Sequence, residues 1–274
     1  MKLSKTVFVS DLDGTLLTTD KRVLPADIAA LQHFTDLGGH FVIATGRPIQ
    51  TTERYLDTLP SDLPLILYNG CIIYDRRKDE ILYSDYLPEI AKEILVDVRG
   101  RFPNISPEIF TFEGQYYFIM NDAERWHHEI LGIEYDKLEN HLEIKEPWCK
   151  MLFADDPDVI TELEEYIKKF DNKGVRFVRS CPKFLEVLPE NASKGTAMLK
   201  LKELCGLSDC TFAASGDYDN DLEMLEAADI SFCPANSQEC VKSAVDYVLK
   251  STCDDGATAE ALNILEHRII GEDG

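Results

Sequence analysis

Short apolar runs alternate with helix-period stripes at both ends of this chain. Val7-Phe8-Val9 reads as a buried strand, and Ile28, Leu31, Phe34 and Leu37 share one stripe of a helix that Gly38-Gly39 ends. A strand at Phe41-Val42-Ile43-Ala44, a helix opened by Pro48 and a strand at Leu65-Ile66-Leu67-Tyr68 follow. This βαβαβ rhythm predicts a parallel sheet. The last third resumes it, with a helix from Ser193 to about Cys205, a strand at Thr211-Phe212-Ala213-Ala214, a helix from about Asn220, a strand at Ile230-Ser231-Phe232, a further helix and a strand at Tyr247-Val248-Leu249.

Between roughly Ile81 and Leu185 the pattern changes. A helix carries Ile90, Ile94 and Val98, and a hairpin turns at Glu113-Gly114 between aromatic-rich strands. Beyond it come a strand at Lys150-Met151-Leu152-Phe153, a helix from Val159 to Phe170, and strands near Val175-Arg176-Phe177-Val178 and from Phe184 to Leu188. The expected fold class is therefore α/β, a parallel-sheet core domain over residues 1–82 and 187–274, with an inserted α+β cap over 83–186. No internal repeat is evident.

Every polar signal of chemical interest follows a predicted strand or opens a helix. Asp11-Leu12-Asp13-Gly14-Thr15 comes directly after the first strand, Thr45-Gly46-Arg47 after the second and Asn69-Gly70 after the third. Gly216-Asp217-Tyr218-Asp219-Asn220-Asp221 follows the strand at Thr211, and Lys194 starts a helix behind the N-cap Ser193. Open parallel sheets bind ligands at the carboxyl ends of their strands, so these segments are expected to converge on one edge.

Carboxylates gathered at one edge repel each other unless a cation neutralises them, and hard oxygen ligands select Mg²⁺. Asp11, Asp13 and Asp217 are the expected metal ligands. An EF-hand calcium loop does not fit: glycine falls fourth from Asp11 instead of sixth, and the sixth and twelfth places from Asp217 are Leu222 and Ala228. A carboxylate is an anion at neutral pH and attacks phosphorus without a base, which suits Asp11 to the role of nucleophile. Asp13, kept partly protonated beside a charged neighbour, is expected to donate to the leaving alkoxide and then take a proton from water. Lys194, the Thr45 hydroxyl and nearby backbone N–H groups are expected to grip the phosphoryl oxygens.

These residues resemble the haloacid dehalogenase superfamily, specifically its Cof-type (subfamily IIB) sugar-phosphate and small-metabolite phosphatases. Asp-Leu-Asp-Gly-Thr at 11–15, Ala-Thr-Gly-Arg at 44–47, Asn-Ala-Ser-Lys-Gly at 191–195 and Gly-Asp-Tyr-Asp-Asn-Asp at 216–221 look like its four motifs in order. Asn69-Gly70 and Asp254-Asp255-Gly256 also resemble that branch. The resemblance implies a Rossmann-like core, an inserted cap that selects the substrate, and Mg²⁺ as cofactor. It makes Asp11 the nucleophile, Asp13 the acid/base and a metal ligand through its backbone carbonyl, and Asp217 the third protein ligand. Thr45, Gly46, Lys194 and Asn220 would hold the phosphate, with Arg47 and Asp221 in support. Cys233-Pro234-Ala235-Asn236 departs from the branch, which commonly has a Met-Gly-Asn-Ala-like turn there.

Composition narrows the partners. The chain has 274 residues and a formal net charge of −22, which disfavours nucleic acid and anionic membrane surfaces. An anionic substrate is still acceptable, because screening over about 8 Å leaves a bound phosphate sensitive mainly to its nearest charges. The opening apolar run is too short for a signal peptide, and no segment approaches the roughly 20 apolar residues of a membrane span. With eight cysteines in scattered apolar contexts and no Cys-x-x-Cys pair, reduced thiols and a cytoplasmic location are expected.

Other features read as structural. His127-His128 beside Trp126 belongs to cap surface or core, Tyr116-Tyr117-Phe118 to cap core, and Asp155-Asp156 with Glu162 to Glu165 to a solvated helix start and face. The expected activity is thus a Mg²⁺-dependent phosphatase acting on small phosphorylated metabolites, sugar phosphates first, through a phosphoaspartate at Asp11. A phosphomutase on the same scaffold and a non-catalytic regulator binding a phosphorylated ligand are the alternatives.

Overall fold

A computed structural model describes residues 3–132, 135–171 and 173–272, with the side chains of 130, 131 and 269–272 left aside. The chain divides into two compact units, Met1–Tyr83 with Ser193–Gly274, and Ser84–Ala192.

The first stretch of the first unit contains β1 (Thr6–Ser10), α1 (Pro25–Asp36), β2 (His40–Ile43), α2 (Ile49–Leu56), β3 (Leu65–Leu67), β4 (Ile72–Asp75) and β5 (Glu80–Ser84), the last ending one residue past the division. The second unit contains α3 (Ile90–Arg101), β6 (Ser106–Phe110), β7 (Gln115–Tyr117), α4 (Asp122–Leu131), β8 (Asp136–Lys137), β9 (Lys150–Ala154), α5 (Pro157–Ile167), β10 (Val175–Cys181) and β11 (Phe184–Pro189). The chain then returns to the first unit with α6 (Lys194–Leu204), β12 (Thr211–Ser215), α7 (Leu222–Ala227), β13 (Ile230–Cys233), α8 (Glu239–Lys242), β14 (Tyr247–Val248) and α9 (Ala257–Glu272).

In the first unit a five-stranded sheet has the order β14-β13-β12-β1-β2, and every pairing is parallel. All five residues of β1 are buried, as expected of a central parallel strand covered on both faces. The early strands lie to one side of β1 and the late strands to the other, so the strand order reverses at β1. Such a reversal opens a crevice at the strands' carboxyl ends. β3 joins this sheet only through a parallel bridge between Ala44 and Ile66, and otherwise pairs antiparallel with β4. The strand expected to run through Tyr68 stops one residue short, because Tyr68, Asn69 and Gly70 all take left-handed backbone conformations (φ 52°, 57° and 95°).

The second unit is a six-stranded sheet of order β10-β11-β9-β6-β7-β8, antiparallel except for β7 and β8. Alternation sorts its two faces. Ile109, Met151, Phe153, Leu185 and Val187 pack with Ile94, Val98, Ile160 and Leu163 of α3 and α5. Ser106 and Glu108 of β6 instead meet α4, where the Ser106 hydroxyl donates to Glu124 (2.8 Å) and His127 pairs with Glu108 (2.8 Å). The hairpin at Glu113-Gly114 joins β6 and β7, and Phe118 lies in the apolar core with Tyr116 packed against it. The boundary expected after residue 186 falls inside β11, all six of whose residues are buried; the units divide between Ala192 and Ser193. All eight cysteines are free thiols.

Candidate active site

The site grows from the register of two strands. β1 and β12 run parallel with Ser10 opposite Ser215, and the Asp11 N–H donates to the Ser215 carbonyl (3.0 Å). Asp11 and the Gly216-Asp217 segment therefore leave the sheet at the same edge, although about two hundred residues separate them. Gly14 sits at φ 80°, and a Cβ there would overlap the Asp217 carboxylate, so only glycine allows this approach. The Thr15 hydroxyl donates to Asp217 Oδ1 (3.0 Å) and fixes its direction.

Lys194 is the first residue of α6, whose N-terminus is capped by the Ser193 side chain accepting from the Thr196 N–H (3.0 Å). Gly70 packs so closely on the Ser193 carbonyl that a side chain there would overlap it, which places the start of α6 against the Asn69-Gly70 turn. Lys194 is 1% exposed, and its Nζ donates to Asp11 Oδ1 and to Asp221 Oδ1, both at 2.6 Å. The second oxygen of Asp221 accepts the N–H groups of Asp217 (3.0 Å) and Tyr218 (3.2 Å), folding the loop after β12 back on itself. Asp221 thus ties Lys194 to the loop after β12.

Lys194 bonds two of three carboxylates that crowd together. Asp11, Asp217 and Asp221 each offer an oxygen within 4.8 Å of the others. Burial pushes Asp11 well above the usual carboxylate range; Lys194 opposes this, while Asp221, Asp217 and Asp13 push further up. Asp217 rises to about 7, through burial first and then the charge of Asp221. Burial alone would pull the Lys194 ammonium down, but Asp11 and Asp221 outweigh it and hold it above its ordinary value. Like charges crowded in a poorly solvated place, with hard oxygen donors, fit a small divalent cation, which would restore the ionised form of Asp11.

Asp13 sits differently from the expectation of a shared proton. Arg47 Nε donates to Oδ2 at 2.5 Å, Arg47 Nη2 to Oδ1 at 2.7 Å, and Lys21 Nζ to Oδ1 at 2.7 Å. Burial would raise its pKa, but these two cations outweigh burial and hold it well below the usual range, so Asp13 is ionised at neutral pH. Its side chain therefore faces Arg47 and Lys21 instead of joining the three-carboxylate group. Arg47 is 5% exposed, and its Nη1 is buried with no hydrogen-bond partner among the described residues, leaving a donor for an anionic ligand.

The remaining predicted residues, Thr45, Gly46 and Asn220, are linked to one another through the strand ends. The Thr45 N–H donates to the Ile66 carbonyl (2.9 Å), its carbonyl accepts from the Asn69 N–H (3.0 Å), and its hydroxyl accepts from the Arg47 N–H (3.1 Å). Gly46 lies against the Asn69 side chain, whose Oδ1 accepts from Asn220 Nδ2 (3.0 Å). Thr45, Gly46 and Asn220 are thus joined through Asn69, a polar residue expected at the end of the third strand but outside the expected phosphate-binding set. The Cys233-Pro234-Ala235-Asn236 turn is bonded to the first loop: Asn236 Nδ2 donates to the Gly14 carbonyl (2.8 Å) and Oδ1 accepts from the Cys253 N–H (2.8 Å). Asp254 accepts from the Thr19 N–H (2.8 Å) and hydroxyl (2.7 Å). Lys21, Thr15 and Asn236 were not among the expected site residues; Thr15 lay in the first motif and Asn236 in the Cys233-Pro234-Ala235-Asn236 turn, whereas Lys21 carried no sequence signal.

His127 and His128 lie outside this group of residues, adjacent on α4, and pair with two different buried carboxylates, Glu108 and Glu124 (both 2.8 Å).

Comparison with known proteins agrees with this geometry. Residues 8–262 match the family model for haloacid dehalogenase-like hydrolases. A Streptococcus pyogenes serotype M6 protein named as a phosphatase is 30% identical over 258 residues, covering 90% of this chain and 93% of that protein. The Bacillus subtilis 5-amino-6-(5-phospho-D-ribitylamino)uracil phosphatase YcsE is 25% identical over 251 residues, covering 90% of each. The crystal structure of TM0651 from Thermotoga maritima superposes with a TM-score of 0.80 at 28% identity, covering 94% of this chain and 96% of that one. With the strand-end carboxylates, the buried lysine and this match across nearly the whole chain, the protein belongs to the haloacid dehalogenase-like hydrolases.

Proposed function

We propose that this hydrolase is a Mg²⁺-dependent phosphatase of small phosphorylated metabolites, working through a phosphoaspartate at Asp11. The observation that carries the reading is the buried junction of Asp11, Lys194, Asp221 and Asp217 at the carboxyl edge of the parallel sheet. Asp11 and Asp217, with the Asp13 backbone carbonyl, would hold the metal, and Asp221 supports them. When bound, Mg²⁺ supplies positive charge to the phosphoryl oxygens.

An Asp11 oxygen attacks phosphorus as the bond to the leaving oxygen breaks and the leaving alkoxide takes a proton from solvent; water then displaces the phosphoryl group from Asp11, its proton passing to Asp13 and on to solvent. This divides one slow displacement into two. Lys194, the Thr45 hydroxyl, the Gly46 backbone and Asn220 bind the equatorial oxygens, where electrostatic stabilisation gives most of the rate. The unpartnered Arg47 Nη1 adds a donor for the substrate anion. The ionised Asp13 suits the base that receives the water's proton. Selection of the substrate is assigned to the unit from Ser84 to Ala192. Sugar and sugar-alcohol phosphates are the first class to test, in keeping with the phosphoribityl substrate named for the Bacillus subtilis relative.

The test is release of inorganic phosphate from a panel of phosphorylated sugars, nucleotides and cofactors, with Mg²⁺ and with chelator. Phosphate release that requires Mg²⁺ supports the reading. No release from any member, or release unaffected by chelation, overturns it.

A further inference from the structure

Lys21 has no role in the site so far, yet its backbone and side chain are both held in place. Residues 12–24 form a short flap: Asp13 bridges Leu17, Leu17 bridges Val23, the Thr18 N–H donates to the Arg22 carbonyl (2.9 Å), and the Lys21 N–H donates to the Thr18 carbonyl (2.9 Å). Lys21 takes a left-handed conformation at φ 61°, which a side-chain-bearing residue adopts at a cost. The Tyr55 hydroxyl donates to the Lys21 carbonyl (3.2 Å), and the same ring lies under the Arg47 guanidinium (5.6 Å to its centre). Turned back in this way, the Lys21 ammonium reaches Asp13 Oδ1 eight residues upstream.

A carboxylate has about four acceptor positions, two on each oxygen. Arg47 Nη2 and Lys21 Nζ take both on Oδ1, and Arg47 Nε takes one on Oδ2. One position on Oδ2 is left. Arg47 alone would let the carboxylate hinge about the paired bonds, and a third bond from a different element removes that freedom.

We propose that Lys21 is a positioning residue that, with Arg47, saturates Oδ1 of Asp13 and so presents the remaining lone pair of Oδ2 to the water that hydrolyses the phosphoaspartate. The inference rests on the phosphatase reading. In the step concerned, the water oxygen bonds to phosphorus, the bond from phosphorus to the Asp11 oxygen breaks with its electrons returning to the carboxylate, and the water's proton passes to Asp13 Oδ2. Transfer to Asp11 from an activated substrate such as p-nitrophenyl phosphate needs no such base, because nitrophenolate leaves unprotonated.

The experiment uses the full chain with Mg²⁺ and p-nitrophenyl phosphate, comparing wild type, Lys21→Gly, Lys21→Met and Lys21→Arg. Lys21→Gly suits the left-handed backbone and removes the whole side chain; Lys21→Met removes the ammonium and keeps an apolar stem. Both are expected to lower steady-state kcat roughly tenfold to hundredfold, a part of the roughly 10²–10⁴-fold that a positioned general base contributes. Both should keep a first-turnover burst of nitrophenolate and accumulate phosphorylated protein after acid quench, while Lys21→Arg regains most of kcat. Steady-state turnover within about twofold of wild type in Lys21→Gly, or a loss without a burst, overturns the proposal while leaving the phosphatase reading intact. A wild type that releases no phosphate from any substrate sinks that reading, and the role of Lys21 with it.

Discussion

Lys194 and Asp11 meet as a buried ion pair, Nζ to Oδ1 at 2.6 Å, although 183 residues separate them in sequence. Asp221 shares the same ammonium. A lysine that is 1% exposed has almost no solvent to stabilise its charge, so both carboxylates are needed to keep it protonated. The pair joins the loop after β1 to the start of α6, and it sets a positive group beside the Asp11 oxygen that the proposed mechanism makes the nucleophile.

Lys194→Met is therefore expected to abolish activity and to destabilise the fold by about 3–5 kcal/mol, because two buried carboxylates lose their cation. Urea unfolding measures this. Saturating Mg²⁺ should return part of the lost stability to the variant, since a divalent ion neutralises the same oxygens. A variant as stable as wild type without metal would show that the ion pair contributes nothing.

Mg²⁺ itself is expected to raise Tm, by an increment that grows with concentration. The increment should also grow with pH. Asp217 has its pKa pushed up to about 7 and Asp11 lies well above its ordinary value, so below neutrality protons compete with the metal for these oxygens. Melting curves at pH 5.5 and pH 8 test the sign: a larger Mg²⁺ shift at pH 8 is expected, and an equal or smaller one would contradict the assigned ligands.

The second unit carries a separate pH dependence. Burial raises Glu108 to about 8, and burial with the charge of Glu108 raises Glu124 to about 10, in a cluster that also holds His127, His128, Lys150 and Glu186. An acid whose pKa is higher folded than unfolded gives stability that is full below the unfolded value, near 4.5, and is lost as pH rises through the folded one. Hydrogen exchange along α4 should therefore report opening that becomes easier between pH 7 and pH 9, by at least about 1 kcal/mol. Glu124→Gln should flatten that trend. A slope unchanged in the variant would place the titrating group elsewhere.

How far the fold was legible follows from where its signals lie. Asp11, Thr45, Lys194 and Asp217 could be found because each follows an apolar strand or opens a capped helix, and parallel topology sends such positions to one edge. Lys21 could not, because its role depends on a single left-handed residue that turns its side chain back on Asp13. Helix α4 escaped for a different reason: Glu124, His127 and His128 face a polar stretch of sheet, so the apolar stripe that marks a helix is interrupted. The ionised state of Asp13 was hidden too, since neither Arg47 nor Lys21 is its sequence neighbour. The short β4 and β5 follow the left-handed turn at Asn69-Gly70 and carry no strong periodic signal of their own.

The central claim is that an Asp11 oxygen becomes covalently bonded to phosphorus. Acid quench during steady-state turnover, followed by mass spectrometry of the peptide that contains Asp11, tests it most directly when wild type and Asp11→Asn are compared. A phosphorylated Asp11 is expected in wild type and, in the variant, neither phosphopeptide nor turnover while the fold is retained. Sustained phosphate release by Asp11→Asn, with reversion to aspartate excluded, would contradict it.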